Sequence, residues 1–290
     1  MEAHLYQSPT DFDPVARAVY RLDPVVFTSE LTTLRTSPWP ADRILLSVGN
    51  GDGAAGAAVQ THDSVLLVNG LPPEVAPTAA RALAGVEADL SGVRGTPATV
   101  MAFIKAWHAV TGVRAIASSR DVLYRLGELR PPSGVAGAWR SAETADSDVV
   151  IHWLEAFFIE AFGEPSNLQA SRTMLTAIDE AGDHVLLWSV AGEPVSMARV
   201  RAPVVGASRI GPVYTPPEHR GHGYGAAVTA AASQFAVHEG AREVVLFADA
   251  DNPVSNRVYR RIGFESVAEN LRYALVETDR PPADSGVTPA

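Results

Sequence analysis

The residues best suited to chemistry fall between Gly211 and Ala227, GPVYTPPEHRGHGYGAA. An apolar strand end, Ile210 to Thr215, runs into a Pro-Pro break, a glycine-rich loop and an alanine-rich helix that starts near Gly225. Gly221, Gly223 and Gly225 alternate with His222 and Tyr224, and glycine lets the backbone take φ > 0 and admits another group at close range. A loop of this kind feeding a helix start leaves several N–H groups unpaired at the positive end of the helix dipole. Such a place holds an anion, most naturally phosphate or pyrophosphate, and Arg220 adds a positive charge at its mouth. Two other phosphate motifs fit less well. Gly221-x-Gly223-x-x-Ala226 matches the loose dinucleotide fingerprint, with Asp249 downstream for a ribose contact. In that fold, however, the glycine turn follows its strand directly within a series of βαβ units, whereas Tyr-Thr-Pro-Pro-Glu-His-Arg intervenes here. A P-loop needs Gly-Lys-Ser/Thr, and the lysine is absent.

Arg220-x-x-Gly223-x-Gly225 resembles the coenzyme A pyrophosphate signature of the GCN5-related N-acetyltransferases (GNAT). VYTPPEHRGHGYG as a whole is similar to the glycine-N-acyltransferase-like (FR47-like) branch of that family. Asn252 to Phe264, NPVSNRVYRRIGF, resembles the family's Asn…Ser…Tyr…Gly-Phe helix, and the resemblance covers roughly residues 135 to 276. It implies acetyl-CoA as cofactor and direct transfer of an acetyl group, in a ternary complex, to a primary amine of an unidentified acceptor. In the family the strand before the loop splays from its neighbour at a bulge, and the pantetheine arm enters the gap like an added strand. Carried over, the backbone of Val213, Tyr214 and Thr215 polarises the thioester carbonyl. Arg220, Gly221, His222, Gly223, Tyr224 and Gly225 then hold the pyrophosphate, and Asn252 and Ser255 touch pantetheine and phosphate groups. Pro216 and Pro217 suit a splayed strand because proline cannot continue a ladder. Asn252 and Ser255 read equally well as helix caps.

Tyr259 is the expected general acid, since a phenol of pKa about 10 stays protonated at neutral pH and can donate to a leaving thiolate of about 8.5. The alternative is a packed helix tyrosine. No residue stands out as general base. Glu160 ends an aromatic helix (Trp153, Phe157, Phe158) and either faces solvent or reaches an acceptor pocket. His219 and His222 suit cofactor contact better than catalysis, and with no third ligand at a recognisable spacing they make no metal site. A reading from a different class is a non-catalytic acyl-CoA-binding sensor or regulatory module, against which Tyr259 argues.

The elements that must position these residues repeat. In the first half, residues 11 to 37 suit helices interrupted at Pro24; RILLSV (43–48), Ala54 to Thr61 and Ser64 to Asn69 suit strands; and Asn50-Gly51-Asp52-Gly53 signals a hairpin. Pro72-Pro73-Glu74 opens an alanine-rich helix to about Val86, a second helix runs from Thr96 to Thr111, and 113–118 and 122–129 close as two strands. Arg-Pro-Pro-Ser-Gly, 130 to 134, is the best boundary. After it come a strand at 135–141, a helix at 147–162 capped by Asp146 or Ser147, a helix at 167–180 and a hairpin over 184–201. The central strand, glycine loop and helix to Glu239 follow, then a buried strand at 243–250, a helix at 253–262 capped by Asn252, and closing strands from Phe264 to Val276.

Pro-Pro-Glu occurs at 72 and again at 216, 144 positions apart (216 − 72), but VAPTAAR follows it the first time and HRGHGYG the second. The expected architecture is α+β: tandem GNAT folds, each a mixed, mostly antiparallel sheet flanked by helices. A degenerate GNAT-like domain would span 1–130, a catalytic one 135–278, and a disordered tail 279–290. GNAT domains often pair as homodimers, so a tandem chain implies a monomer with pseudo-dimeric halves.

Composition narrows the partners. The net charge of −10 argues against nucleic acid or an anionic membrane and favours a cationic acceptor. There is no cysteine, so neither a disulfide, a thiol nucleophile nor a thiolate metal site exists. MEAHLYQSPTDFDP lacks the marks of a signal peptide, and no apolar run approaches the roughly 18 residues of a membrane span. The expectation is a soluble cytoplasmic protein. A single lysine, Lys105, against 22 arginines (23 − 1) reads as the composition of a GC-rich bacterial genome.

Overall fold

The structure, a computed structural model, describes residues 1–35, 43–50, 53–163 and 165–276. The expected tail at 279–290 and the centre of the Asn50–Gly53 turn lie outside the described residues. The first half runs β1 (Glu2–Leu5), α1 (Pro9–Tyr20), α2 (Thr28–Thr33), β2 (Leu45–Asn50), β3 (Gly53–Gln60), β4 (Val65–Leu67), a 3₁₀ turn (Pro73–Val75), α3 (Ala76–Gly85), β5 (Gly92–Gly95), α4 (Pro97–Thr111) and β6 (Arg114–Leu126). The second continues with β7 (Ala138–Ser141), a 3₁₀ turn (Thr144–Asp146), α5 (Ser147–Phe162), α6 (Leu168–Glu180), β8 (His184–Val190), β9 (Glu193–Val200), β10 (Ala207–Tyr214), a 3₁₀ turn (Pro217–His219), α7 (Tyr224–His238), β11 (Glu243–Asp249), α8 (Pro253–Arg261) and β12 (Phe264–Val276).

These elements divide into two compact units: Met1–Val19 with Ala41–Ser119 and Leu271–Ala290, and Tyr20–Pro40 with Arg120–Asn270. In the first unit β1 to β4 pair antiparallel in succession, β4 runs parallel to β5, and Leu271–Ala274 of β12 pairs antiparallel with β5. In the second, β7 to β10 pair antiparallel, β10 runs parallel to β11, and Asp121–Arg125 of β6 pairs antiparallel with β11. Each unit is thus a mixed, mostly antiparallel sheet with one parallel pair, built in the same strand order. Each is closed by a strand from the other half of the sequence.

Alternation along the strands explains the apolar runs. In β8 and β9 of the second unit, Leu186 and Ala198 join the cluster of α7 and α8 (Val228, Ala232, Tyr259), while Leu187 and Met197 join that of α5 and α6 (Val150, Leu154, Ile178). Both faces are covered, so the strand sequence carries no polar alternation. The first unit packs Leu46, Leu66, Val68, Leu83, Phe103 and Trp107 into one cluster, with Phe103 and Trp107 stacked at 5.9 Å.

Four elements depart from expectation. β1 and β5 carry no strand-like run; GVRG of β5 is held by backbone pairing on both sides, to β4 and to β12. β6 and β12 are single strands of 13 residues where pairs of shorter ones were expected. In β6 the polar Ser-Ser-Arg stretch sits in its exposed part and does not interrupt the strand.

β5 and Leu271–Ala274 approach so closely that a Cβ on Gly92 would lie 2.5 Å from the Tyr273 carbonyl oxygen. Gly92→Ala is therefore expected to destabilise the chain by about 1–3 kcal/mol, the usual range for overpacking. Urea unfolding followed by circular dichroism should show an earlier transition, and an unchanged midpoint would mean that the strand shifts without strain.

Candidate active site

β10 determines the shape of the site. Its parallel pairing with β11 runs from Ala207↔Glu243 to Ile210↔Leu246 and stops there. β11 nevertheless continues to Asp249, paired with β6, and β10 continues to Tyr214, paired with β9. A register shift between Ile210 and Val213 marks the departure. Gly211 there has φ +138°, which an L side chain rarely adopts, and Pro212 supplies no N–H. From Gly211 onward one edge of β10 therefore lacks its strand neighbour. The departure lies at Gly211-Pro212, inside the strand; the Pro216-Pro217 break follows the strand end, as the sequence reads. Pro216 caps the 3₁₀ turn.

The end of β10 is braced from behind. The buried Ser196 hydroxyl donates to the Tyr214 carbonyl at 3.0 Å and lies 2.8 Å from the Thr215 hydroxyl. Ser196 has one proton, so Thr215 is the donor to Ser196. The Thr215 carbonyl in turn accepts from Arg220 Nε at 2.9 Å.

The loop follows. Gly221 and Gly223 have φ +84° and +83°, and Gly223 stands at the cap position of α7 with no side-chain cap. Among the described residues the N–H groups of Gly221 to Ala226 form no hydrogen bond; the first helix bond runs from the Ala227 N–H to the Gly223 carbonyl. Six consecutive donors (221 to 226) thus stand free at the start of a 15-residue helix, the arrangement that receives an anion. His222 and Tyr224 stack with centroids 5.3 Å apart. Among its described residues the first unit shows neither feature. Pro72 and Pro216 share a conformation (φ −52°, ψ 147° and φ −53°, ψ 147°). The first unit, however, passes from its 3₁₀ turn directly into α3, and Asn69 Oδ1 accepts from the Thr96 N–H at 2.7 Å where β4 and β5 end.

α8 presents the second group. Asn252 Oδ1 caps it, accepting from the Val254 and Ser255 N–H groups at 3.2 and 3.1 Å, and the Ser255 hydroxyl donates to the Asn252 carbonyl. Asn252, Ser255 and Tyr259 share one face by spacing. Tyr259 packs against Tyr124 at 6.3 Å and Phe264 at 6.2 Å, and burial pushes its phenol up to about 12. No hydrogen bond or ring contact joins these residues to the glycine loop among the described residues. Asn256, which sequence reasoning passed over, is the buried anchor of this helix. It accepts from the Tyr124 hydroxyl at 2.8 Å and donates to the Asp249 and Asn252 carbonyls at 2.7 Å.

Glu160 is the other residue that matters more than its local sequence suggests. α5 is seated by Asp146, which accepts from both terminal guanidinium nitrogens of Arg140 at 2.6 and 2.7 Å and from the Glu143 N–H. Of the two expected caps, Asp146 and Ser147, Asp146 occupies the cap position of α5, but its carboxylate accepts from the 3₁₀ turn at Glu143 and makes no cap bond to α5. At the far end of α5, Glu160 accepts from the Tyr214 hydroxyl at 2.8 Å and from Arg220 Nη2 at 2.5 Å. Burial would raise the Glu160 carboxyl, but the hydrogen bonds from Arg220 and Tyr214 and the Arg220 charge outweigh it and hold it below its ordinary value. Burial and the same carboxylate push Tyr214 up to about 12. Among the described residues no group of three His, Asp or Glu is placed to hold a metal, and no helix is long and apolar enough to cross a membrane.

Known proteins resemble this chain in sequence and in fold. The model of the acetyltransferase (GNAT) family matches residues 148–264. Residues 148–264 form a GNAT acetyltransferase domain. A mycothiol acetyltransferase of Clavibacter sepedonicus is 25% identical over 284 residues, covering 87% of this chain and 86% of that protein. Another, of Saccharomonospora viridis, is 35% identical over 72 residues, 24% of each chain, so the match spans about a quarter of that relative. Among solved structures, a tandem GNAT protein from the clavulanic acid biosynthesis pathway superposes with a TM-score of 0.61 at 16% identity, over 96% of this chain and 100% of its own. A GNAT-family acetyltransferase of Colwellia psychrerythraea gives the same score and coverage at 11% identity. The GNAT fold therefore extends through the chain as a tandem.

The carboxyl of Glu160 should titrate below the ordinary glutamate value in carbon-13 NMR and move upward in Arg220→Ala, which removes a hydrogen bond and the charge that stabilise its ionised form. An unmoved midpoint would show that the pair does not persist in solution.

Proposed function

We propose that the chain is an acetyl-CoA-dependent N-acetyltransferase that moves an acetyl group directly to a primary amine. The observation that carries this reading is the pairing of a free β10 edge with six unbonded N–H groups at the start of α7. An extended amide-bearing arm fits the first and a pyrophosphate fits the second, so the residues present suit the cofactor. Arg220, Gly221, His222, Gly223, Tyr224 and Gly225 would hold the pyrophosphate, and the edge at Val213 to Thr215 would receive the arm. Asn252 and Ser255 already spend their side chains on capping α8, which leaves further contacts to their remaining donors and lone pairs. When bound, acetyl-CoA would supply the acetyl group as a thioester, whose C–S bond would break as the neutral amine forms a C–N bond, the nitrogen losing one proton and the departing sulfur gaining one.

Backbone N–H groups at Val213 to Thr215, fixed by Ser196, offer a preorganised donor for charge on the carbonyl oxygen. Tyr259 keeps its proton at any physiological pH. Full transfer from a phenol at about 12 to a thiolate near 8.5 would cost about 5 kcal/mol, at 1.36 kcal/mol per unit. Its contribution is therefore the hydrogen bond formed as charge gathers on sulfur. The chain has no cysteine to carry an acyl group, which favours direct attack. The name of the 25%-identical relative makes an amine connected with mycothiol the first acceptor to test.

Gly223→Asp should abolish acetyl-CoA binding in calorimetry, because a carboxylate would sit among the free donors. Tyr259→Phe should bind normally yet release free thiol roughly 10²-fold more slowly, the scale of a lost proton donor. Unchanged affinity in the first variant would remove the cofactor assignment. Binding without any amine-dependent thiol release in the parent would leave a sensor module instead.

A further inference from the structure

We propose that Glu160 recognises the ammonium group of a cationic acceptor, and that the Glu160–Arg220 ion pair holds the place of both substrates until they arrive. The inference rests on the cofactor reading above. Arg220 is the one side-chain cation of the glycine loop's RGHGYG run, and its guanidinium is already committed through Nε to the Thr215 carbonyl and through Nη2 to Glu160. Glu160 is committed to Arg220 and to the hydroxyl of Tyr214, the last residue of the free strand edge. Both partners remain open to solvent, with side-chain exposures of 48% and 42%, so either can exchange its partner without unfolding anything.

The charges decide the order. A pyrophosphate seated on the free N–H groups brings negative charge to Arg220 and meets the Glu160 carboxylate as a like charge. The arrangement that satisfies both turns Arg220 toward the phosphate and leaves Glu160 with Tyr214 alone. Arg220 and Tyr214 together keep the carboxyl ionised. Once Arg220 is drawn away, an ionised carboxylate bonded to the end of β10 lacks a cation, and a primary ammonium restores one. Cofactor binding thus opens the acceptor subsite, and acceptor choice favours amines that are charged at neutral pH. The aromatic trio Phe157, Phe158 and Phe162, with centroids 5.5 to 5.9 Å apart on the same helix end, flanks this carboxylate by sequence with apolar surface. An acceptor with a hydrocarbon or ring portion next to its amine suits both.

The signature is a pair of effects with opposite sign. Glu160→Gln frees Arg220 and should tighten coenzyme A binding in calorimetry by about two- to five-fold, the scale of an exposed ion pair. Glu160→Ala should do the same. In the parent chain, ethylammonium should move the Glu160 carboxyl NMR signal at lower concentration when coenzyme A is saturating than when it is absent, with ethanol as the neutral control. A merely structural Glu160 would give weaker coenzyme A binding in both variants. That outcome, an unchanged affinity, or an ethylammonium response indifferent to coenzyme A would overturn the exchange while leaving the cofactor assignment intact. Failure of the parent chain to bind coenzyme A at all would remove both.

Discussion

The site depends on an unmet demand for hydrogen bonds. Beyond Ile210, β10 keeps one neighbour and loses the other, and unpaired strand edges are ordinarily closed by another strand, blunted or covered. This one stays open because both flanking strands are already held. β9 grips β10 through Tyr214, and β6 grips β11 through Asp249. The bulge at Gly211-Pro212 turns the end of β10 away, and the Ser196 contacts fix where it goes. An extended ligand can then supply ladder partners without displacing any part of the protein.

The first unit shows how little separates such a site from an ordinary sheet. It has the same strand order, the same parallel pair and a proline of matching conformation before its 3₁₀ turn. A single side chain, Asn69, ties the ends of β4 and β5 through the Thr96 N–H. The absence of a glycine segment lets the turn run straight into α3. With the edge tied and no free loop, that unit presents neither the strand gap nor the row of donors. Closing the gap takes one amide; opening it takes a glycine, a proline and a brace.

Much of this was legible in the chain because local rules carried it. The positive φ of Gly221 and Gly223, the Asn252 cap and the buried strand β11 each follow from a few neighbouring residues. What stayed hidden depends on residues far apart. β5 received no strand assignment because GVRG holds a single large apolar residue, and its strand character comes from neighbours on both sides. The position of the bulge was not legible, because a Gly-Pro pair inside an apolar strand does not by itself mark where pairing with one neighbour stops. Glu160 read equally as a solvated residue or a pocket residue, because its partner lies sixty positions away. Asn256 had a signal, a second asparagine four residues after the cap, whose meaning required a buried tyrosine on β6.

The exchanged closing strands bear on how the protein is made. The strand that completes the sheet of the first unit is Leu271–Ala274, so during synthesis β5 must wait, its outer edge bare, until nearly the whole chain of 290 residues has left the ribosome. The strand that completes the second unit, Asp121–Arg125, is by contrast finished before most of its partners exist. The unit begun first is therefore the one completed last. A bare edge on a nascent chain invites wrong partners. β5 limits that risk by being four residues long, half glycine and marked with an arginine.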